Sequence, residues 1–322
     1  MAITDVESAA KAGAEWLVTT RNGAIPGTIR TALYPYVVQN PIALPNQTYF
    51  ETVPVQKAST VQVLTNNTSL TQSQTVHFSE KTIETTSSST TEGYKMGSNI
   101  ISTTKFSYRI KIFAASIGFE QTFPMAITGE YNHSSTQTIS LTTERLWAVT
   151  QPVNVPPYSQ IIATLTIMGA DVQIPMTLHA NILGQGISNA PTGITYPEQF
   201  TKTDYQHTNG SKYYQNYTSG FLYQPSWPDM PASFTGWSGN ALILKGASTT
   251  STGPGLYATV RFDQTPLPGF EQFSESKSWY SNEVLLRDGT IKKIPDLDPS
   301  NGRAIQPKAP KPILVSSLEI NH

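Results

Sequence analysis

The sequence predicts a mostly β, elongated protein, and three observations carry that prediction. Charged residues fill only 13% of the 322 positions, about half the usual share, while Ser, Thr, Asn, Gln and Tyr are abundant. Such a surface is polar but uncharged and suits extended structure, where Thr, Tyr and Val sit well. Several long segments alternate or run apolar as strands do, and a single segment reads as a helix.

That helix is expected over residues 5–18. Asp5 is placed to cap it, Glu7 lies in the first turn, and Ala9, Ala10, Ala12, Ala14 and Trp16-Leu17 are good formers or packers. Asn22-Gly23 ends it. From there to Pro54 the chain is expected to be irregular, because Pro26, Pro35, Pro41 and Pro45 interrupt any long element. From Val55 to about Pro175 the strand signals dominate: Val61–Leu64, Thr75–Phe78, Arg145–Val149 and Ile161–Met168. Few turn signals separate residues 70 to 105, which predicts unusually long strands there. Residues 190–245 crowd aromatics among Gly and Pro, implying loops and short strands. Gly255–Gln264 alternates again, and after Tyr280 the chain turns basic and Pro-rich.

Composition excludes several functions. With 38% hydrophobic residues the chain can build a core, in one elongated or two to three smaller domains. A net charge of −1 gives no steering toward nucleic acid. The absence of cysteine removes disulfides, thiolate metal sites and cysteine nucleophiles. The five histidines are scattered singly, the carboxylates stand in no motif, and no Gly-rich phosphate loop follows a strand. No cofactor, metal site or catalytic residue is therefore expected, although carboxylate pairs made by folding leave a glycosidase open. Met1–Asp5 shows no basic or apolar signal region, and no run of about 18 apolar residues exists.

The segment from Thr85 to His133 is the most informative. A Ser/Thr tract, residues 85–91, reads equally as low-complexity loop or as strand. It leads into Phe106–Ile112, which alternates apolar and polar, and the alternation returns at Phe123, Met125, Ile127 and Tyr131 against Thr128, Glu130 and Asn132. Strand side chains alternate faces, so each arm has one apolar and one polar face. Two readings stay open on pattern alone: ordinary half-buried strands, or a hairpin that lines a membrane barrel.

Several stretches resemble a known family. Val61-Gln-Val-Leu-Thr-Asn-Asn-Thr, Gln72-Ser-Gln-Thr-Val, Gln151-Pro-Val-Asn-Val-Pro-Pro, Ala163-Thr-Leu-Thr-Ile-Met-Gly and Gly255-Leu-Tyr-Ala-Thr-Val-Arg-Phe-Asp-Gln carry the likeness. They look like the epsilon-toxin/mosquitocidal-toxin branch of the aerolysin-like β-pore-forming toxins, nearest to insecticidal crystal-type members. The resemblance covers roughly residues 55–180 and 255–280, leaving the aromatic zone outside it. It implies an elongated aerolysin-like architecture: a head of residues 1–54 and 185–250, a β-sandwich tail of 55–184 and 251–285 carrying an insertion hairpin at 104–133, and a C-terminal tail, 286–322, as activation peptide. It also implies a secreted or parasporal protein of a spore-forming bacterium. Its partners would be a cell-surface receptor, a host gut protease, the lipid bilayer and further copies forming a ring. No reaction is catalysed.

On that reading the membrane-facing residues are Phe106, Tyr108, Ile110, Ile112, Met125, Ile127 and Tyr131, with Phe113, Ile117, Phe119 and Phe123 toward the tip. Ser107, Arg109, Lys111, Thr128, Glu130 and Asn132 would face the lumen, since charges turned into lipid are strongly unfavourable. Buried large side chains at about 1.5–3 kcal/mol each would amount to ~10–20 kcal/mol per subunit as an upper bound. Such a surface must pack against the sandwich before insertion. An arm of Phe106–Phe113 spans only about 26 Å, or some 20 Å when tilted, short of the ~25 Å apolar band. Pro124, lacking a donor, is expected at the start of the returning strand.

Tyr213, Tyr214, Tyr217 and Trp227 are the receptor-binding candidates, because Tyr and Trp dominate hot spots and stack on sugar faces. The same cluster also reads as the core of a small head. Arg287, Lys292, Lys293 and Arg303 mark the activation cleavage region, being basic residues in Pro-rich chain. The competing class is a non-pore β-sandwich carbohydrate-binding module, a lectin or adhesin.

Overall fold

The computed structural model describes residues 3–96, 103–130, 139–189, 194–196, 198–294, 297 and 300. Side chains are described throughout these except at 103–106, 126–130, 139, 187–189 and 194–196.

The helix runs Val6–Asn22. The Asp5 carboxylate accepts the Ser8 N–H at 3.0 Å, and Gly23, left-handed at φ 63°, closes the other end by donating to Val18 O. These are the expected cap residues, and both satisfy orphan backbone groups. Val6, Ala10, Ala14, Leu17 and Val18 form its buried face.

Two large sheets make the body. In the first, Ile3–Asp5, Gln72–Lys95, Ala241–Thr252, Val172–Gly184 and Tyr36–Pro45 lie in that order. Ile139–Val155 pairs with the other half of Gln72–Lys95, from Gln72↔Val155 to Ser88↔Ile139. The second sheet runs Ile291–Lys293, Glu283–Leu286, Gly255–Pro266, Ser159–Gly169, Val55–Asn66, with Lys277–Tyr280 also on Gly255–Pro266. Gln72–Lys95 is 24 residues long, about 80 Å at ~3.3 Å per residue. The Ser/Thr tract is therefore strand, its hydroxyls compatible with an extended ladder.

Two expectations change. Tyr36–Pro45 is a strand despite Pro41 and Pro45. It is the edge of its sheet, where a missing donor is tolerated. The ladder also shifts register opposite Pro41, with Asn40 at φ 47°. Strands also cross the expected head–tail limits. Ala241–Thr252 is continuous through residue 250, and Glu283–Leu286 and Ile291–Lys293 belong to the second sheet, beyond the expected limit at 285. Long strands simply pass from one hydrophobic cluster to the next: on Val172–Gly184, Val172, Ile174, Met176 and Leu178 pack under the hairpin, whereas Ala180 and Ile182 pack with the helix.

Three cores result. The sandwich interior holds Val76, Phe78, Trp147, Ile161, Leu165, Val260 and Phe262. The head core surrounds the helix with Phe200, Tyr217, Leu222 and Trp227. A third core forms where Thr103–Ala114 and Phe119–Glu130 lie on the first sheet.

Candidate functional site: a stowed amphipathic hairpin

Thr103–Ala114 and Phe119–Glu130 pair antiparallel from Thr103↔Glu130 to Ala114↔Phe119. The turn between them is only four residues, with Gly118 at φ 70° and its N–H donating to Ala114 O at 2.9 Å. Each arm is 12 residues, longer than the alternation alone suggested. At ~3.3 Å per residue and a ~40° tilt this spans about 30 Å, enough for the ~25 Å apolar band.

The outgoing arm is also paired, parallel, with Tyr49–Thr52, and the Lys111 N–H donates to Thr48 O at 2.7 Å. Odd positions of that arm thus direct their backbone away from the returning arm. Pro124, opposite Arg109, turns its missing donor to the open edge. This is why a proline stands inside the returning strand rather than at its start.

One face of the hairpin is buried and the other is wet. Ile110, Ile112, Ile117, Phe123 and Met125 are buried, and Tyr108 and Phe119 pack half-buried beside them. They rest on Val172, Ile174, Met176 and Leu178 of the central strand, on Leu256 and Tyr257, and on Val284, Leu286, Ile294 and Leu297 of the C-terminal segment. Five large side chains at about 1.5–3 kcal/mol each contribute on the order of 10 kcal/mol. That is comparable to the stability of a whole domain.

On the reverse face Ser107, Arg109, Lys111 and Pro124 are exposed, and Lys111 Nζ lies 2.9 Å from Glu120 Oε1. Phe113 belongs to this reverse face, next to Glu51, and not with Ile112 as expected. Adjacent strand residues cannot share a face. Gln121 takes the buried position opposite Ile112, its amide donating to Leu256 O at 3.0 Å. The side chains of Phe106, Ile127, Thr128 and Glu130, and residues Tyr131 and Asn132, lie outside the described ones.

The surface beneath the hairpin is half aliphatic and half hydroxylic. Thr252, Thr250 and Ser248 stand opposite Val172, Ile174 and Met176, hence on the same face. They continue into Thr86, Ser88 and Thr90. Thr86 and Thr252 hydroxyls are 2.9 Å apart, and Thr250 Oγ1 donates to Ser88 Oγ at 3.3 Å. Burial raises the Tyr257 phenol, and the Ser116 hydroxyl 3.2 Å away offsets part of the rise.

The C-terminal segment covers the returning arm. The Arg287 guanidinium lies 5.6 Å from the Phe123 ring centroid, and Lys292 Nζ lies 5.0 Å from that of Phe119. Lys292 and Lys293 are exposed on Ile291–Lys293, whereas Arg287 is half-buried and paired with Glu84. Arg303 lies outside the described residues.

In the head, Tyr213 and Tyr214 are exposed on Lys212–Thr218, Tyr214 at 61%. Tyr217 and Trp227 are not available to a partner. Tyr217 stacks on Phe221 with centroids 5.3 Å apart, and burial pushes its phenol up to about 12. Trp227, 5% exposed, packs where helix residue Gly13 leaves room; a Cβ there would lie 3.0 Å from its ring. Sequence reasoning passed over Trp237, which is 61% exposed beside the Gly239-Asn240 turn; that turn was the available signal. The Tyr34 hydroxyl donates to Asn216 Oδ1, on the same strand as Tyr213 and Tyr214, at 3.2 Å. Among the described residues no group of three or more His, Asp or Glu could hold a metal ion, and no helix is long and apolar enough to cross a membrane.

These features define a class: a long-stranded β protein that stores an amphipathic hairpin, apolar face inward, on its own sandwich. Residues 29–274 match the family of Clostridium epsilon toxin ETX/Bacillus mosquitocidal toxin MTX2, and the chain belongs to that family. It is 32% identical over 283 residues to the pesticidal crystal protein Cry15Aa of Bacillus thuringiensis subsp. thompsoni, covering 85% of this chain and 79% of that one. Two solved structures share the fold. A chain of the Cry23Aa1 and Cry37Aa1 binary complex aligns at TM-score 0.60 and 17% identity over 90% of this chain and 100% of that one. A non-toxic crystal protein from Bacillus thuringiensis aligns at 0.63 and 16% identity, over 84% and 100%.

Proposed function

We propose that this protein is a pore-forming insecticidal toxin that inserts the hairpin of residues 104–133 through target-cell membranes as one element of a β-barrel. The observation that carries the reading is the two-faced hairpin, with Ile110 and Phe123 buried and Arg109 and Lys111 in water on the reverse side. The buried face becomes the lipid-facing wall and the wet face the lumen. Family membership and the pesticidal relative support the same reading.

Energetics set the order of events. Moving the apolar face from sandwich to lipid exchanges one dry environment for another, so that step is nearly neutral. The drive comes from pairing the arms with those of neighbouring copies into a closed barrel without edges. A ring of copies therefore forms before or during insertion.

In this account residues 1–54 and 185–250 recognise the receptor through Tyr213 and Tyr214, joined by Trp237. A gut protease cuts the C-terminal segment, with Lys292 and Lys293, exposed on a short edge strand, as its basic sites. Likeness to a pesticidal crystal protein supports production in a parasporal inclusion. The protein works without catalysing a reaction.

Exposed Tyr214 and Trp237 also favour a second reading, a carbohydrate-binding module without a pore, and a non-toxic protein shares the fold. Dye release from liposomes and midgut vesicles, before and after mild trypsin, separates the two. Release that needs the clip and accompanies an SDS-resistant oligomer supports the toxin; no release under any treatment supports the binding module.

A further inference from the structure

Glu84 is a carboxylate buried within the long strand Gln72–Lys95. Its Oε1 accepts the Gly255 N–H at 2.9 Å and the guanidinium of Arg287. Its place is tightly set. A Cβ on Gly255 would lie 2.6 Å from the Trp147 ring, and Trp147 Nε1 is itself fixed by donating to Thr82 Oγ1 at 2.9 Å. Arg287 is fixed from the other side, because its own N–H donates to Leu256 O at 3.1 Å.

The guanidinium thus bridges two parts of the molecule: it pairs with a buried carboxylate of the sandwich and lies over Phe123 of the returning arm. Arg145 also converges here, 5.5 Å from the Trp147 ring, and burial together with the Arg287 charge lowers its pKa. Glu84 pairs with Arg287 alone, while Arg145 feels the Glu84 and Asp288 charges only at longer range. A groove of about 490 Å³, lined in part by Thr122, Pro124, Arg145 and Lys292, opens beside Arg287 and leaves it room to swing outward.

Taking the hairpin as the inserting element, we infer that Glu84 and Arg287 form a pin that keeps the returning arm stowed, separate from any protease step. The coupling is reciprocal. Phe123 covers one side of the Arg287 guanidinium, and the pair holds the cation over the Phe123 ring. A cut after Lys292 or Lys293 detaches Ile294 and Leu297 from the hairpin core but leaves Arg287 on the retained chain. Clipping and unpinning are therefore two steps, and the clipped protein still holds its arm until Arg287 leaves Glu84.

Hydrogen exchange read by mass spectrometry on the intact, unclipped chain tests this. Arg287→Met and Glu84→Gln are compared with Lys81→Met, which removes the exposed Lys81–Glu144 pair of the same strand. Glu84→Gln keeps an acceptor for Gly255 and guards against a variant that fails to fold. Exchange in residues 119–125 is expected to accelerate at least tenfold in both pin variants and not in Lys81→Met. Ser159–Gly169, in the sandwich interior, keeps its protection. Unchanged exchange at 119–125 in both pin variants overturns the pin, and so does equal acceleration of both segments, which would make the pair a general support of the fold. The readout needs neither membrane nor protease, so a protein that released no dye would still decide it.

Discussion

Ile110 and Phe123 stand opposite each other across the hairpin, 0% and 3% exposed, while their neighbours Arg109 and Lys111 face water. Both rings and branches point into the same core as Ile174 and Leu256. The hairpin is thus already an amphipathic sheet while it lies on the body of the protein.

Charge at the wet face should set ion selectivity. Arg109→Glu replaces a positive by a negative charge in every subunit, on the face assigned to the lumen. Reversal potentials in planar bilayers should move toward cation preference, with little change in oligomer formation. An unchanged reversal potential would remove Arg109 from the lumen.

Receptor recognition and head stability should separate. Trp237→Ala and Tyr214→Ala remove exposed rings, so melting temperature should hold while binding to target-cell vesicles falls by about tenfold or more, on the scale of a hot-spot residue. Trp227→Ala empties a packed site against Gly13 and should cost about 3–5 kcal/mol of stability. Calorimetry beside a vesicle-binding assay checks both.

Limited trypsin digestion should follow side-chain access. The first fragments should end at Lys292 or Lys293, which are exposed, with Arg287 spared while it is paired to Glu84. Mass spectrometry of early time points reads this directly. A first cut after Arg287 would mean that the ion pair does not protect that bond.

What was legible in the sequence was what is local. Alternation in Phe106–Ile112 marked both faces of the outgoing arm, and the cap residues Asp5 and Gly23 marked the helix. Phe113 was misplaced because the turn starts two residues later than its apolar neighbours suggested. The strand at Tyr36–Pro45 was hidden because its prolines are harmless only at an edge, and edge position is a property of the whole sheet. Tyr217 and Trp227 looked like Tyr213 and Tyr214 in composition; what buries them is a helix two hundred residues away. Glu84 and Arg287, 203 residues apart, carried no joint signal at all.

The central claim is that the hairpin leaves the sandwich to form the pore. Glu51 and Phe113 are register partners on neighbouring parallel strands, about 5 Å apart and within disulfide reach. The chain has no cysteine of its own, so Glu51→Cys with Phe113→Cys gives one defined bridge tying the hairpin to the body. Dye release from clipped, oxidised protein should be absent and should return on adding reductant. Full release with the bridge intact would contradict the account.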